Sequence, residues 1–161
     1  MKVHVFNKQK DLVISKNQVI KQVCLILQNE KIFCNEVSIF FITKKEMTFL
    51  HKKYFDDPTL TDTISFPIDK PEKKNTHSCY LGDVFICPYV AKKYCRENNN
   101  NNFFEETTLY LIHGLLHLIG YKDKTEKEKR IMRKKEKSCM QVLKKYKIGL
   151  NKKHTRIWEM L

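Results

Sequence analysis

Glycine and proline are scarce in this 161-residue chain, four of each, tryptophan occurs once, and arginine supplies only four of the 31 basic residues. No Pro/Gly/Ser linker divides the chain and no internal repeat is present, so it reads as a single domain over residues 1–161. Its six cysteines (Cys24, Cys34, Cys79, Cys87, Cys95, Cys139) form no Cys-x-x-Cys pair. Several sit in apolar runs, Val23-Cys24-Leu25 and Ile86-Cys87 among them, which fits buried free thiols in a reducing cytosol. Long hydrophobic runs are missing too. The longest uncharged stretch, Thr107 to Tyr121, is fifteen residues with two histidines inside it, too short and too polar to span a bilayer. The first ten residues hold no continuous apolar segment, so no secretory signal is read, and a cytoplasmic protein with no membrane partner is expected.

What the chain has in excess is positive charge. There are 31 Lys and Arg against 18 Asp and Glu, a formal net charge of +13. Lysine in place of arginine, with eleven Asn and four Gly, is also what an AT-rich genome produces, so part of the excess is discounted. The remainder points to a polyanionic partner, nucleic acid or an anionic surface. The charge is uneven: between Lys122 and Arg156 stand 15 Lys and Arg against four acids.

Residues 2–6 alternate polar and apolar, with Val3 and Val5 on one face, and predict a first strand. Ser15 precedes Val19, Ile20, Val23, Cys24, Ile26 and Leu27 at helical spacing, an amphipathic helix with a Ser N-cap. Val37 to Ile42 is a β-branched and aromatic run of strand length, and Thr43-Lys-Lys-Glu46 after it fits a capping box opening a second helix. A loop from Phe55 leads to a short strand around Thr63 to Phe66, closed by Pro67. Cys79 to Cys87 reads as another strand, with Gly82-Asp83 marking a bulge or a close backbone approach. Pro88 starts a helix to about Glu97. The five-Asn tract 98–102 is a surface loop. Glu105 to Ile119 is a helix ended by Gly120. Beyond Lys124 a highly charged helix carries a thin apolar stripe of Ile131, Met132, Cys139, Val142 and Leu143, so residues 122–161 form a basic C-terminal helix and tail.

The segment that carries chemistry is His113-Gly-Leu-Leu-His117-Leu-Ile-Gly120-Tyr-Lys-Asp123. Two histidines four apart on a helix share one face, so both imidazoles reach one ion. Gly120 lets the backbone leave the helix and swing Asp123 toward the same ion. Three protein ligands leave a position open for water, the arrangement of a catalytic rather than a structural zinc. His-x-x-x-His on an apolar helix also arises by chance. Gly114 adds a signal: glycine in a helix interior costs about 1 kcal/mol relative to alanine, so something must approach closely there. The spacing is similar to that of metzincin proteases, but Gly114 stands where those enzymes need a Glu as general base. A metallopeptidase is therefore kept only as an alternative.

Taken together, three blocks resemble the YbeY endoribonucleases of bacterial ribosomal RNA maturation. His113 to Tyr121 looks like that family's metal motif, followed by a charged helix with Met132. Thr61-Asp62-Thr-Ile-Ser65-Phe66-Pro67 is similar to its Thr-Asp-Val-Leu-Ser-Phe-Pro segment, and Leu81 to Ile86 resembles the Gly-Asp strand between them. The blocks fall in the family's order over about residues 50–136. Two positions depart. The family normally supplies a third histidine where this chain has Asp123, giving a harder, more anionic donor set that admits divalent ions besides zinc. Phe55 stands where the family usually has an Arg after Tyr54, and Lys52 or Lys53 offers only a point charge in its place.

The element order and the resemblance imply an α+β fold, one mixed sheet of about four strands packed on helices. The resemblance implies a metal-dependent, single-strand-specific endoribonuclease acting in 16S rRNA 3′-end maturation and ribosome quality control. It would use one Zn2+ or another divalent ion on His113, His117 and Asp123, and its partners would be ribosomal RNA and the ribosome or small-subunit proteins, with no DNA. Thr61, Asp62 and Ser65 would shape the substrate cleft, although Asp and Ser fill turn and cap roles as readily. Lys144, Lys145 and Lys147, without acidic neighbours in sequence, are expected to bind RNA. Ile157-Trp158 is either a stacking platform or a docked terminal anchor. No general base is named, and if Asp123 is not a ligand, water or a distant residue such as His77 takes its place. A non-catalytic RNA-binding ribosome assembly factor with a structural metal remains open.

Overall fold

The computed structural model describes residues 1–71 and 78–150. Its elements run β1 (Lys2–Asn7), α1 (Lys16–Asn29), β2 (Glu36–Phe41), α2 (Lys44–Phe55), β3 (Thr63–Pro67), β4 (Tyr80–Ile86), α3 (Pro88–Glu97), α4 (Phe103–Leu118) and α5 (Glu126–Lys145). The four strands form one mixed sheet in the order β1-β2-β4-β3, with β1, β2 and β4 parallel and β3 antiparallel to β4. This is the expected α+β class.

Strand alternation decides which side chains meet the helices. Val37, Ile39 and Phe41 of β2 are fully buried, in one cluster with Val19, Val23 and Ile26 of α1 and with Leu111, Leu115 and Leu116 of α4. On the opposite face Phe6, Phe40 and Phe85 stack across three strands, with ring centroids 4.7 and 4.5 Å apart, and Phe66 meets Phe85 edge-on. Met47 of α2 closes the β3–β4 end of that face against Ile42, Ile64 and Cys87.

Most local expectations hold, with differences that have simple causes. Thr43 and Glu46 form the reciprocal capping box of α2. Ser15 occupies the N-cap of α1, but its side chain makes no cap bond; its backbone N–H donates instead to the Leu150 carbonyl. The bulge falls at Gly82-Asp83, where β4 takes one residue more than β2 between Glu36 and Ser38. Helix α4 starts at Phe103, two residues earlier than expected, because Asn102 of the Asn tract accepts from the Glu105 N–H and serves as its cap. Ile131 is not in the apolar stripe of α5 but exposed; Met132, Cys139 and Leu143 are the buried members. None of the six cysteines is in a disulfide; Cys24 and Cys34 are only partly buried. Among the described residues no helix is long and apolar enough to cross a membrane.

Candidate metal centre

Helix α4 lies between the sheet and α5, and that position explains its glycine. A Cβ on Gly114 would overlap Val84 Cγ1 of β4 and stand 3.1 Å from Ser65 Oγ and 3.3 Å from Thr63 Oγ1 of β3. The close approach inferred from Gly114 is therefore the sheet itself, not a ligand. Ser65 fastens the contact by donating its hydroxyl to the Gly114 carbonyl at 3.1 Å.

Four residues apart on α4, His113 and His117 bring their Nε2 atoms to 2.9 Å. The helix then ends in a Schellman turn: the Gly120 N–H bonds the His117 carbonyl, the Tyr121 N–H bonds the Leu116 carbonyl, and Gly120 takes φ +101°. That left-handed residue redirects the chain so that Asp123 Oδ2 lies 3.5 Å from His113 Nε2 and 3.4 Å from His117 Nε2. Donors about 2.0–2.1 Å from a tetrahedral ion lie roughly 3.3 Å from one another, so the triangle has the dimensions an ion such as zinc needs.

The ring protons point the same way. His117 Nδ1 lies 3.0 Å from the Tyr121 carbonyl oxygen, which can only accept, so this nitrogen carries the proton and Nε2 is left as a donor for an ion. His113 Nδ1 lies 2.7 Å from Glu136 Oε1 of α5 and is likewise committed. Two imidazole lone pairs and a carboxylate then face one small space, which calls for a cation, either a proton or a metal ion. Burial is the largest influence on His113 and opposes its protonation. The Glu136 hydrogen bond and the charges of Glu136, Asp62 and Asp123 together outweigh it and hold this imidazole above its ordinary value.

The triad opens on a cleft of about 840 Å³ whose lining includes His51, Phe55, Thr61, Asp62, Ser65 and Lys122. Thr61, Asp62 and Ser65 stand in the cleft wall that faces α4; the side-chain hydrogen bonds of Thr61 and Asp62 are local, while that of Ser65 crosses to α4. Asp62 Oδ1 accepts from the Thr63 N–H at 2.7 Å and from the Thr61 hydroxyl at 3.3 Å. Phe55 is exposed in the same wall. Of the lysines considered as substitutes for the missing Arg, neither Lys52 nor Lys53 lines the cleft, and the Lys53 ammonium rests 5.1 Å from the Tyr54 ring centroid. The lining lysine among the described residues is Lys122.

The three C-terminal lysines are not equivalent. Lys144, without acidic neighbours in sequence, pairs across the helices with Glu105 of α4, in the wall of a second groove of about 570 Å³ between α4 and α5. Lys145 lies 5.9 Å from the Tyr146 ring centroid, and Lys147 sits in a left-handed turn at φ +55°. His77, Lys152, Lys153, Arg156, Ile157 and Trp158 lie outside the described residues. Glu136 is the side chain in contact with the triad that sequence reasoning missed. It falls at the 132, 136, 139, 143 spacing of the buried stripe of α5, and a carboxylate on an apolar stripe was the available signal.

Three donors grouped at the wall of an open cleft could hold an ion with room left beside it, as catalytic rather than structural metal sites do. The family model described as Endoribonuclease YbeY matches residues 4–144, and the chain belongs to this family. It is 41% identical over 146 residues to the Endoribonuclease YbeY of Protochlamydia amoebophila, covering 91% of this chain and 95% of that protein. With the Endoribonuclease YbeY of Chlamydia muridarum it shares 35% over 141 residues, 88% of this chain and 87% of the other. The solution structure of TM1509 from Thermotoga maritima shares the fold, with a TM-score of 0.60 at 20% identity over 90% of this chain and 91% of that one.

Proposed function

We propose that this protein is a metal-dependent endoribonuclease that cleaves single-stranded ribosomal RNA, in the 3′-end maturation of 16S rRNA and in ribosome quality control. The observation that carries the reading is the convergence of His113 Nε2, His117 Nε2 and Asp123 Oδ2 on one point at the wall of an open cleft. Two histidines and a carboxylate fit zinc and also harder divalent ions. An ion held there supplies Lewis-acid polarisation of a phosphoryl oxygen and acidification of water.

The chain's own residues supply geometry. The Tyr121 carbonyl fixes the His117 tautomer, Gly120 sets the position of Asp123, and the Ser65 bond to Gly114 holds the β3 wall against α4. Thr61, Asp62 and Ser65 shape the cleft in which the RNA backbone lies, and Lys122 provides its positive charge. Lys144, Lys145 and Lys147 extend RNA contact beyond the cleft, Lys144 by exchanging Glu105 for phosphate.

Cleavage of a ribosomal RNA fragment by the wild type and His117→Ala tests this. Cleavage should be lost in the variant while RNA binding survives; undiminished cleavage sinks the proposal. Chelator that unfolds the domain, together with a wild type that never cleaves, would instead identify an assembly factor with a structural metal. Peptidase activity is not expected, since the position of a general-base Glu is occupied by Gly114, where the packing of β4 admits no side chain.

A further inference from the structure

We infer that Glu136 is a positioning residue for the candidate metal ligand His113, so that the basic helix α5 takes part in building the metal centre as well as in contacting RNA. The inference rests on the reading of His113, His117 and Asp123 as a metal site and adds a fourth residue that touches no ion.

Three observations carry it. The first is placement. Glu136 lies in register with Met132, Cys139 and Leu143, the buried residues of α5, and its side chain is 15% exposed. A carboxylate held that far from water is costly unless something compensates it.

The second is choice of partner. Helix α5 offers lysine or arginine at positions 127, 129, 130, 133, 134, 135, 137, 144 and 145. Its other well-placed pairs use them: Lys135 reaches Glu30 of α1 at 2.9 Å, Lys129 pairs with Glu126, and Lys144 with Glu105. Among the described residues the ion pair of Glu136 is with neither lysine nor arginine but with His113, at 2.7 Å. A carboxylate kept only for helix stability on so basic an element would have taken an ammonium.

The third is which ring nitrogen it takes. The bond is to Nδ1, which directs Nε2 into the donor triangle with His117 and Asp123. His117 reaches the same outcome through the Tyr121 carbonyl. One ligand is therefore oriented by a neutral dipole and the other by a full negative charge. A carboxylate behind an imidazole fixes its tautomer and makes it a stronger donor, and loss of such a partner typically lowers metal affinity 10- to 100-fold.

The test uses full-length protein freed of metal and titrated with Zn2+ in competition with a chromophoric chelator, comparing wild type, Glu136→Gln, Glu136→Ala and His117→Ala. Glu136→Gln keeps the volume and a hydrogen-bond acceptor while removing the charge. It should weaken Zn2+ binding about tenfold, and Glu136→Ala up to about 100-fold, with circular dichroism unchanged. Glu136→Gln binding Zn2+ as tightly as wild type overturns the inference. Wild type binding no tighter than His117→Ala would overturn the metal-site reading instead, and a second measurement then still judges Glu136. In metal-free protein, at alkaline pH where the ring is neutral, the 15N ring shifts of His113 should report an Nδ1–H tautomer in wild type and tautomer mixing in Glu136→Ala. The same His113 tautomer in both proteins overturns the inference whatever the metal data show. If Glu136→Ala does not fold, Glu136→Gln carries the Zn2+ titration and Glu136→Met, of similar length but without a strong acceptor, carries the tautomer measurement.

Discussion

The two helices that meet at the candidate metal centre are built on opposite plans. Helix α4 is apolar almost all round, with nine of its sixteen residues buried and Glu105 and Glu106 its only acids. Helix α5 is charged almost all round, with three residues of twenty buried. Helix α4 nevertheless carries both imidazoles, and α5 sends Glu136 to one of them, His113. Ligands need a rigid carrier, and α4 is immobilised by the sheet on one side and α5 on the other. The supporting carboxylate needs only one fixed point, and the narrow stripe Met132, Cys139, Leu143 supplies it.

Core truncations on the two helices give the largest test of this contrast. Leu115→Ala on α4 and Leu143→Ala on α5, both fully buried, should each cost about 2–5 kcal/mol in urea unfolding. A value under about 1 kcal/mol at Leu143 would make α5 a surface cover and break the picture of a docked support. Next comes Gly114→Ala. With Val84 and the β3 hydroxyls against it, the added methyl should destabilise by about 1–3 kcal/mol through overpacking, where on an exposed helix the same change would stabilise. A stabilised variant would show that α4 can retreat from the sheet.

Smaller again are the helix starts. Thr125 and Glu128 form a reciprocal capping box on α5, whereas α4 has only the longer Asn102 cap. Thr125→Ala should cost about 1 kcal/mol. The hydrogen bond from the Thr125 backbone, first, and those of its side chain and of Lys124 hold the Glu128 carboxyl below its ordinary value of 4.5. A depressed carboxyl contributes stability that is complete above its unfolded pKa and disappears as pH falls through the folded one. The stability difference between wild type and Glu128→Gln should therefore be present at neutral pH and vanish in acid below the ordinary carboxyl range. A difference that grows on acidification would refute the assignment. Smallest is the bridge between the helices: Lys144→Ala should cost no more than about 1 kcal/mol, and less at high salt.

The same contrast explains what could be read from the sequence. The grouping of His113, His117 and Asp123 was legible because the three side chains and a turn glycine fall within eleven residues, and helix and turn geometry converts that spacing directly into position. The order of strands and helices was legible from periodicity. That β4 sits between β2 and β3 was not, since no local pattern encodes a neighbour. The packing reason for Gly114 was hidden for the same cause, as it lies in Val84, Ser65 and Thr63, distant in sequence. Glu136 was masked by composition: one carboxylate among twelve charged residues of α5 looks like a solvated face until the stripe is laid out. Lys144 shows the reverse error, free of acids along the chain but opposite Glu105 in space.

The Schellman turn at Gly120 has a thermodynamic consequence. Because it gathers all three donors from the interval His113 to Asp123, an unfolded chain retains most of what is needed to chelate an ion, and the loop to be closed is short. An ion that binds the unfolded state as well as the native one stabilises the fold by less than its native affinity suggests. The native surplus is then set by what the denatured chain cannot assemble: Glu136, 23 residues from His113, and the β3 wall, 49 residues from Ser65 to Gly114.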